Sequence, residues 1–213
     1  MTRETHERFS LQFTHPKRVC LVSEHLYNFL KPNGHFLSRE WFPIADEIAV
    51  GTARVQRIDG LWNFLKEDGS FLSEEWFYMV RPFSCDVALV RKQDGFYNYL
   101  KRDGTFLSQT DYVRAYSFEH DFGKVVNQRG LFNYLQKNGE VLGNVWFREA
   151  YDYYDGMFIV KREDGLWNYL KSDGDFLSEE WLKHVGKFQD GVARVQDQDG
   201  IWRKLKKDGS FVQ

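Results

Sequence analysis

Polar and apolar positions alternate along this chain in short bursts. "ARVQR" at 53–57 is apolar at alternate positions, as a strand with one buried face is. Asp59-Gly60 follows, then "LWNFLK", then Asp68-Gly69, then "SFLS". Asp-Gly between such runs signals a hairpin, because these residues accept the positive φ of a tight turn. The pattern predicts a three-strand meander. The next stretch, "EEWFYMVRPF" at 74–83, keeps Trp76, Phe77, Val80 and Phe83 apolar. That spacing fits either a short helical turn, begun by Ser73 and two acids, or an irregular strand.

The whole pattern recurs. The Trp62 position reads Tyr27, Trp62, Tyr97, Phe132, Trp167 and Trp202, in steps of 35 residues. The turn glycines Gly34, Gly69, Gly104, Gly139, Gly174 and Gly209 keep the same step. Residues 4–213 therefore read as one repeat domain with units 4–38, 39–73, 74–108, 109–143, 144–178 and 179–213. A unit this small cannot bury its own aromatic face, so neighbours must stack. The expected fold is all-β, six tandem β-meander repeats. The whole-number count and the unbroken period favour a six-bladed, propeller-like ring, with an open β-solenoid as the alternative. Arg203 and Lys204 replace the Asn-aromatic pair in the last unit, which speaks for open ends.

On these residues the chain resembles the WG-repeat (KWG) family of bacterial β-repeats over nearly its whole length. The family pattern runs Gly-x-Trp-Gly-aromatic, Asp-Gly, a β run, an aromatic patch, then Phe-x-x-Gly-x-Ala-x-Val. Gly60, Trp62, Phe64, Gly69, Phe83, Ala88 and Val90 follow it, and Phe188, Gly191, Ala193 and Val195 match its ending in full. Asp86 stands where that ending has Gly. The Gly after the Trp is systematically Asn, at 28, 63, 98, 133 and 168, and Arg at 203. The resemblance implies a binding or scaffolding array and brings no catalytic residues. A looser likeness is to the choline-binding, cell-wall-binding repeats. Their shorter units and exported setting disagree with this period and this N-terminus.

Composition narrows the classes further. Hydrophobic residues at 42% and charged residues at 28% are the balance of a folded chain. A formal net charge of -2 gives no electrostatic reason to expect nucleic acid or an anionic membrane as partner. "MTRETHERFSLQF" lacks the apolar run of a signal peptide, and no stretch is apolar enough to span a bilayer. Cys20 and Cys85 fall at different repeat positions, as unpaired thiols would. The expected location is cytoplasmic.

One active site needs one set of residues, so catalytic groups should break the repeat's symmetry. His15 and His120 share a column but lie three units apart, while His6, His25, His35 and His184 fall in unrelated columns. No His-x-x-x-His or Cys-x-x-Cys spacing occurs. "QDQDG" at 196–200 lacks the third acidic ligand and the closing Glu of a calcium loop, and reads as a hairpin turn. Glu74-Glu75 and Glu179-Glu180 read as solvated element starts rather than acid–base pairs. The expectation is no enzyme, no metal and no cofactor.

The Trp residues fall in two columns, 62, 167 and 202, and 41, 76, 146 and 181. Their strict period favours inter-repeat core over sugar-stacking platforms. The Asn column has four readings. Asn may replace the family's Gly at a positive φ; its amide bonds neighbouring backbone; Asn28, Asn63, Asn98, Asn133 and Asn168 form a ligand-facing column along a channel; or the column faces solvent. Partner recognition is expected at positions that differ between units: Arg57, Lys92, Asn127, Arg162 and Asp197. The function so read is a non-catalytic scaffold for another protein. The alternative is a carbohydrate-binding module that holds a glycan on exposed aromatics.

Overall fold

The computed structural model describes residues 15–21 and 25–212, so His6 and the N-terminal stretch lie outside the described residues. Among those residues the chain is all-β, with five three-stranded sheets and one two-stranded sheet, each antiparallel. The alternating runs form the expected hairpins. Thr52–Gln56 pairs with Trp62–Lys66, Val87–Arg91 with Tyr97–Lys101, and Phe122–Val126 with Phe132–Gln136. Met157–Lys161 pairs with Trp167–Lys171, and Val192–Gln196 with Trp202–Lys206. Lys17–Leu21 against Leu26–Leu30 is the first of the series. At the turn, Asp59 Oδ1 accepts the Leu61 N–H at 3.1 Å and Gly60 takes φ +86°. That is the chemistry for which Asp-Gly is used.

The third strand of the meander is not where the alternation places it. "SFLS" contributes one bridge, Leu65 with Phe71, and then turns away as Ser73 Oγ accepts the Glu75 N–H at 3.1 Å. The third strand comes instead from the connector ahead of each hairpin: Ile44–Ala45, Met79–Val80, Arg114–Ala115, Glu149–Ala150 and His184–Val185. The connector is thus the irregular strand, not the helical turn. Phe77 exchanges backbone hydrogen bonds with Trp62 at 2.8 and 3.0 Å. Two residues on, Met79–Val80 pairs with Arg91 and Val90 of the next hairpin. The connector therefore stitches each sheet to its successor.

Neighbouring sheets pack face on face. Phe64 is buried among Val80, Ala88, Val90 and Leu100 of the following unit. Tyr134 is buried in the same way among Phe158, Val160 and Leu170. The approach is close at the second turn. A Cβ on Gly104 would stand 2.1 Å from the Leu72 carbonyl oxygen, so the glycine column serves the stacking as well as its φ of +86°.

Among the described residues the propeller-like series of six sheets is not closed. In the last hairpin, Trp202, Arg203 and Lys204 are all exposed, whereas their counterparts Asn168 and Tyr169 are buried. Lys204 occupies the column whose other members pack into a following sheet. Its ammonium suits a face in water, where a Phe or Tyr would not.

Candidate functional site

The Asn column belongs to the frame. Asn63 is fully buried, and its Nδ2 donates to the carbonyl oxygens of Ser73 at 2.8 Å and Glu75 at 3.0 Å. Its Oδ1 accepts the Phe64 N–H at 2.8 Å. Asn28 and Asn168 repeat this set. Asn133 keeps the bonds to Val145 and Tyr134. Asn98 adds the Asp111 carboxylate at 2.7 Å. Each amide clamps the turn that follows its hairpin. None of the five has a positive φ, so Asn does not stand in for glycine's backbone freedom. Nor is this a ligand-facing column, since all five are buried at 0–2% exposure.

The unit-variable positions are also occupied within the chain. Arg57 pairs with Asp59 and lies 4.1 Å above the Trp76 ring; Arg162 pairs with Asp164 and lies 4.2 Å above Trp181. Where the Trp is replaced by Asp111, Lys92 replaces the Arg and meets its carboxylate at 2.7 Å. That carboxylate holds Lys92 above its usual pKa. Asn127 accepts the Arg129 and Leu131 N–H groups, and Asp197 accepts those of Asp199 and Ile201. Differences at this column follow the connector residue 19 positions ahead in three units, a signal readable in the sequence itself.

The Trp columns flank the core instead of filling it. The fully buried aromatics include Phe29, Tyr99, Tyr134 and Tyr169, together with Phe42, Phe77 and Phe147. Trp62, Trp76, Trp146 and Trp181 pack half-buried on the edges of these clusters. The 62 column stays at the rim whatever fills it, since Tyr97 and Phe132 are half-buried as well, and several of the indoles lie under a cation, as Lys161 lies 4.7 Å from Trp167.

The repeat's symmetry breaks around residues 116–122 and 151–158. In the last five units the column Ala53, Ala88, Gly123, Phe158, Ala193 carries one large residue. At Gly123 there is no room for a side chain, because a Cβ would lie 2.5 Å from both the Phe118 ring and the Tyr99 hydroxyl. Phe118 fills that space and is buried. One unit on, Phe158 fills it, stacked on Tyr134 with ring centroids 3.7 Å apart. Tyr153, the counterpart of Phe118, is then held half-buried at the surface, 4.9 Å from Phe158.

Two pockets open beside it. The first, about 360 Å³, is lined by Tyr116, Glu119, Phe122, Lys124, Tyr134 and Tyr153, among others. The second, about 270 Å³, is lined by Tyr151, Tyr154, Met157, Ile159, Tyr169 and Phe188, among others. Shifted by one unit of 35 residues, Tyr116, Glu119, Phe122, Lys124 and Tyr134 become Tyr151, Tyr154, Met157, Ile159 and Tyr169. The pockets are therefore the same place in consecutive units, and both are lined by Asp152 and Tyr153. Their sizes suit bound side chains or small ligands.

The core positions the rim. The Tyr99 hydroxyl donates to the Tyr116 carbonyl at 2.6 Å, and the Tyr134 hydroxyl donates to the Tyr151 carbonyl. Burial pushes both phenols far above the usual tyrosine pKa, so they remain neutral donors. Each buried Tyr thus fixes the backbone beneath an exposed one. Lys124 pairs with Asp152 at 2.5 Å. Sequence reasoning missed this site, although "YDYYDG" at 151–156 and Phe158 in a small-residue column marked it.

The histidines do not gather. Among the described residues no group of three His, Cys, Asp or Glu side chains is placed to hold a metal ion. Glu75 is exposed and serves through its backbone, as acceptor for Asn63. Cys85 is a free thiol.

No family model and no curated protein matches the chain. Solved structures do. The computationally designed Ika8 protein is 12% identical over 88% of this chain and 67% of its own, with a TM-score of 0.37. BamB from Moraxella catarrhalis is 13% identical over 84% of this chain and 63% of its own, at 0.34. The WD40 β-propeller domain of Doa1 is 12% identical over 92% of this chain and 77% of its own, at 0.30. Likeness at this level carries no argument about what the chain binds.

Proposed function

We propose that this chain is a non-catalytic repeat scaffold that holds another protein at the paired tyrosine-lined pockets. The observation that carries this reading is the break in symmetry: a frame otherwise built alike in each unit sets an aromatic groove at two consecutive units. Tyrosine, phenylalanine and methionine are the residues that protein interfaces favour. The resemblance to WG repeats, as binding arrays, supports the same reading, and a cytoplasmic setting accords with it. A glycan is the second reading, favoured by the Glu119 carboxylate, which has no ion pair in the described chain and stands beside ring faces.

A photo-crosslinking residue at position 154, compared with one at the exposed Tyr78, tests the scaffold in lysate of the native host. A discrete protein adduct from 154 alone is expected. Equal labelling from both positions would sink the proposal. So would a sugar panel that raises the melting temperature through Tyr151 while no adduct forms.

A further inference from the structure

We infer that the two pockets form one groove for a proline-rich segment in the polyproline II conformation. This rests on the scaffold reading above and names the chemistry of its partner.

Spacing is the first argument. The pockets lie one unit apart, and packed sheets repeat at about 10 Å. A polyproline II chain rises about 3.1 Å per residue with three residues per turn. Residues i and i+3 therefore return to one face after about 9 Å. A β-strand covers about 10 Å in three residues, but its side chains at i and i+3 point to opposite faces. Of these two extended conformations, the polyproline helix is the one that drops a side chain into each pocket in turn.

The lining is the second. Tyr151 and Tyr154 are 50% and 57% exposed, Tyr116 is 37% exposed, and half-buried Tyr153 stands between the pockets; Lys124 and Lys187 lie 4.9 and 5.5 Å over the Tyr116 and Tyr154 rings. Aromatic-lined grooves accept proline rings, and the stiff helix loses little entropy on docking.

Hydrogen bonding is the third. The polyproline helix leaves its carbonyl groups without internal partners. The hydroxyls of Tyr116, Tyr153 and Tyr154 have no partner within the described chain, so they are free to donate. The lining's charges cancel: Lys124 is paired with Asp152, leaving Glu119 in one pocket and Lys187 in the other. The segment's centre is accordingly uncharged.

The test titrates the full chain with the blocked peptide Gly-Pro-Pro-Leu-Pro-Pro-Leu-Pro-Gly, with its all-alanine-for-proline counterpart, and with chitotetraose. The proline peptide should bind more tightly than the alanine peptide by about tenfold or more, the worth of one good contact. Tyr151→Ala and Tyr153→Ala should each weaken it by about the same factor, while Tyr78→Ala leaves it unchanged. Tyr154→Phe, which removes only a hydroxyl, should weaken it by roughly threefold. Melting curves check that each variant is folded. Equal affinity for the alanine peptide overturns the polyproline assignment. If neither peptide binds, that assignment falls, and an adduct from position 154 would leave the scaffold reading standing. Binding of chitotetraose alone, lost on Tyr151→Ala, would overturn both.

Discussion

Gly123 and Phe158 hold the same place in consecutive units and give opposite results. Around Gly123 the space is taken by Phe118, edge-on to Tyr99 with ring centroids 4.8 Å apart, and the surface closes. Around Phe158 the space is already full, so Tyr153 stays outside and becomes the wall of a groove. In these two units the residue of the small-residue column, Gly123 or Phe158, goes with a neighbouring aromatic that is buried (Phe118) or half-buried (Tyr153). The groove proposed to bind a partner comes from overfilling the frame at one point, not from a separate loop or insertion.

Three substitutions test that comparison. The largest effect is expected from Gly123→Phe, since even a Cβ there would lie 2.5 Å from Phe118 and Tyr99. The expected loss is about 3 kcal/mol or more, read by chemical denaturation. A neutral result would mean that Phe118 swings out as easily as Tyr153 sits out. Next is Phe158→Gly, expected to cost about 3 kcal/mol through the cavity it leaves. Adding Tyr153→Phe should recover part of that loss, because the fifth unit then copies the fourth. Strict additivity of the two changes would separate Tyr153 from Phe158.

A smaller effect, about 1–3 kcal/mol, is expected for removing a clamp, because the turn carbonyls it served are left unpaired. Asn98→Ala should cost more than Asn133→Ala, as Asn98 also bonds the Asp111 carboxylate. Equal urea midpoints would show that the extra bond adds nothing. The smallest effect belongs to the buried phenols. Tyr99→Phe should cost about 0.5–1.5 kcal/mol at neutral pH, and Phe29 and Phe64 show that the column accepts the ring without its hydroxyl. The folded-state pKa of Tyr99 is raised by burial, so its contribution is full below the unfolded value of about 10 and is lost as pH rises above it. Tyr99→Phe should therefore lessen alkaline destabilisation, and an unchanged pH profile would remove Tyr99 from its cause.

The hairpins and their period were legible because alternation and Asp-Gly turns are local signals. The third strand was not. Met79–Val80 is two residues long, and its pairing is set by where the connector lands in the next unit, which no local pattern records. The Asn column could be narrowed to four readings, but only the three-dimensional turn shows that its amide reaches Ser73 and Glu75. In the variable column, Arg57 with Trp76, Lys92 with Asp111 and Arg162 with Trp181 vary as intramolecular pairs, which accounts for the variation at those three positions. The groove left its trace in the bulk of Phe158 against Ala53, Ala88, Gly123 and Ala193, a difference of size and not of chemistry.

Because each third strand is donated by the connector ahead of it, every sheet is tied to the next through a strand of two residues. Tension applied along the chain would meet those short ties one after another. The molecule would then extend in discrete steps, each releasing one unit of 35 residues, or roughly 120 Å of contour at about 3.4 Å per residue.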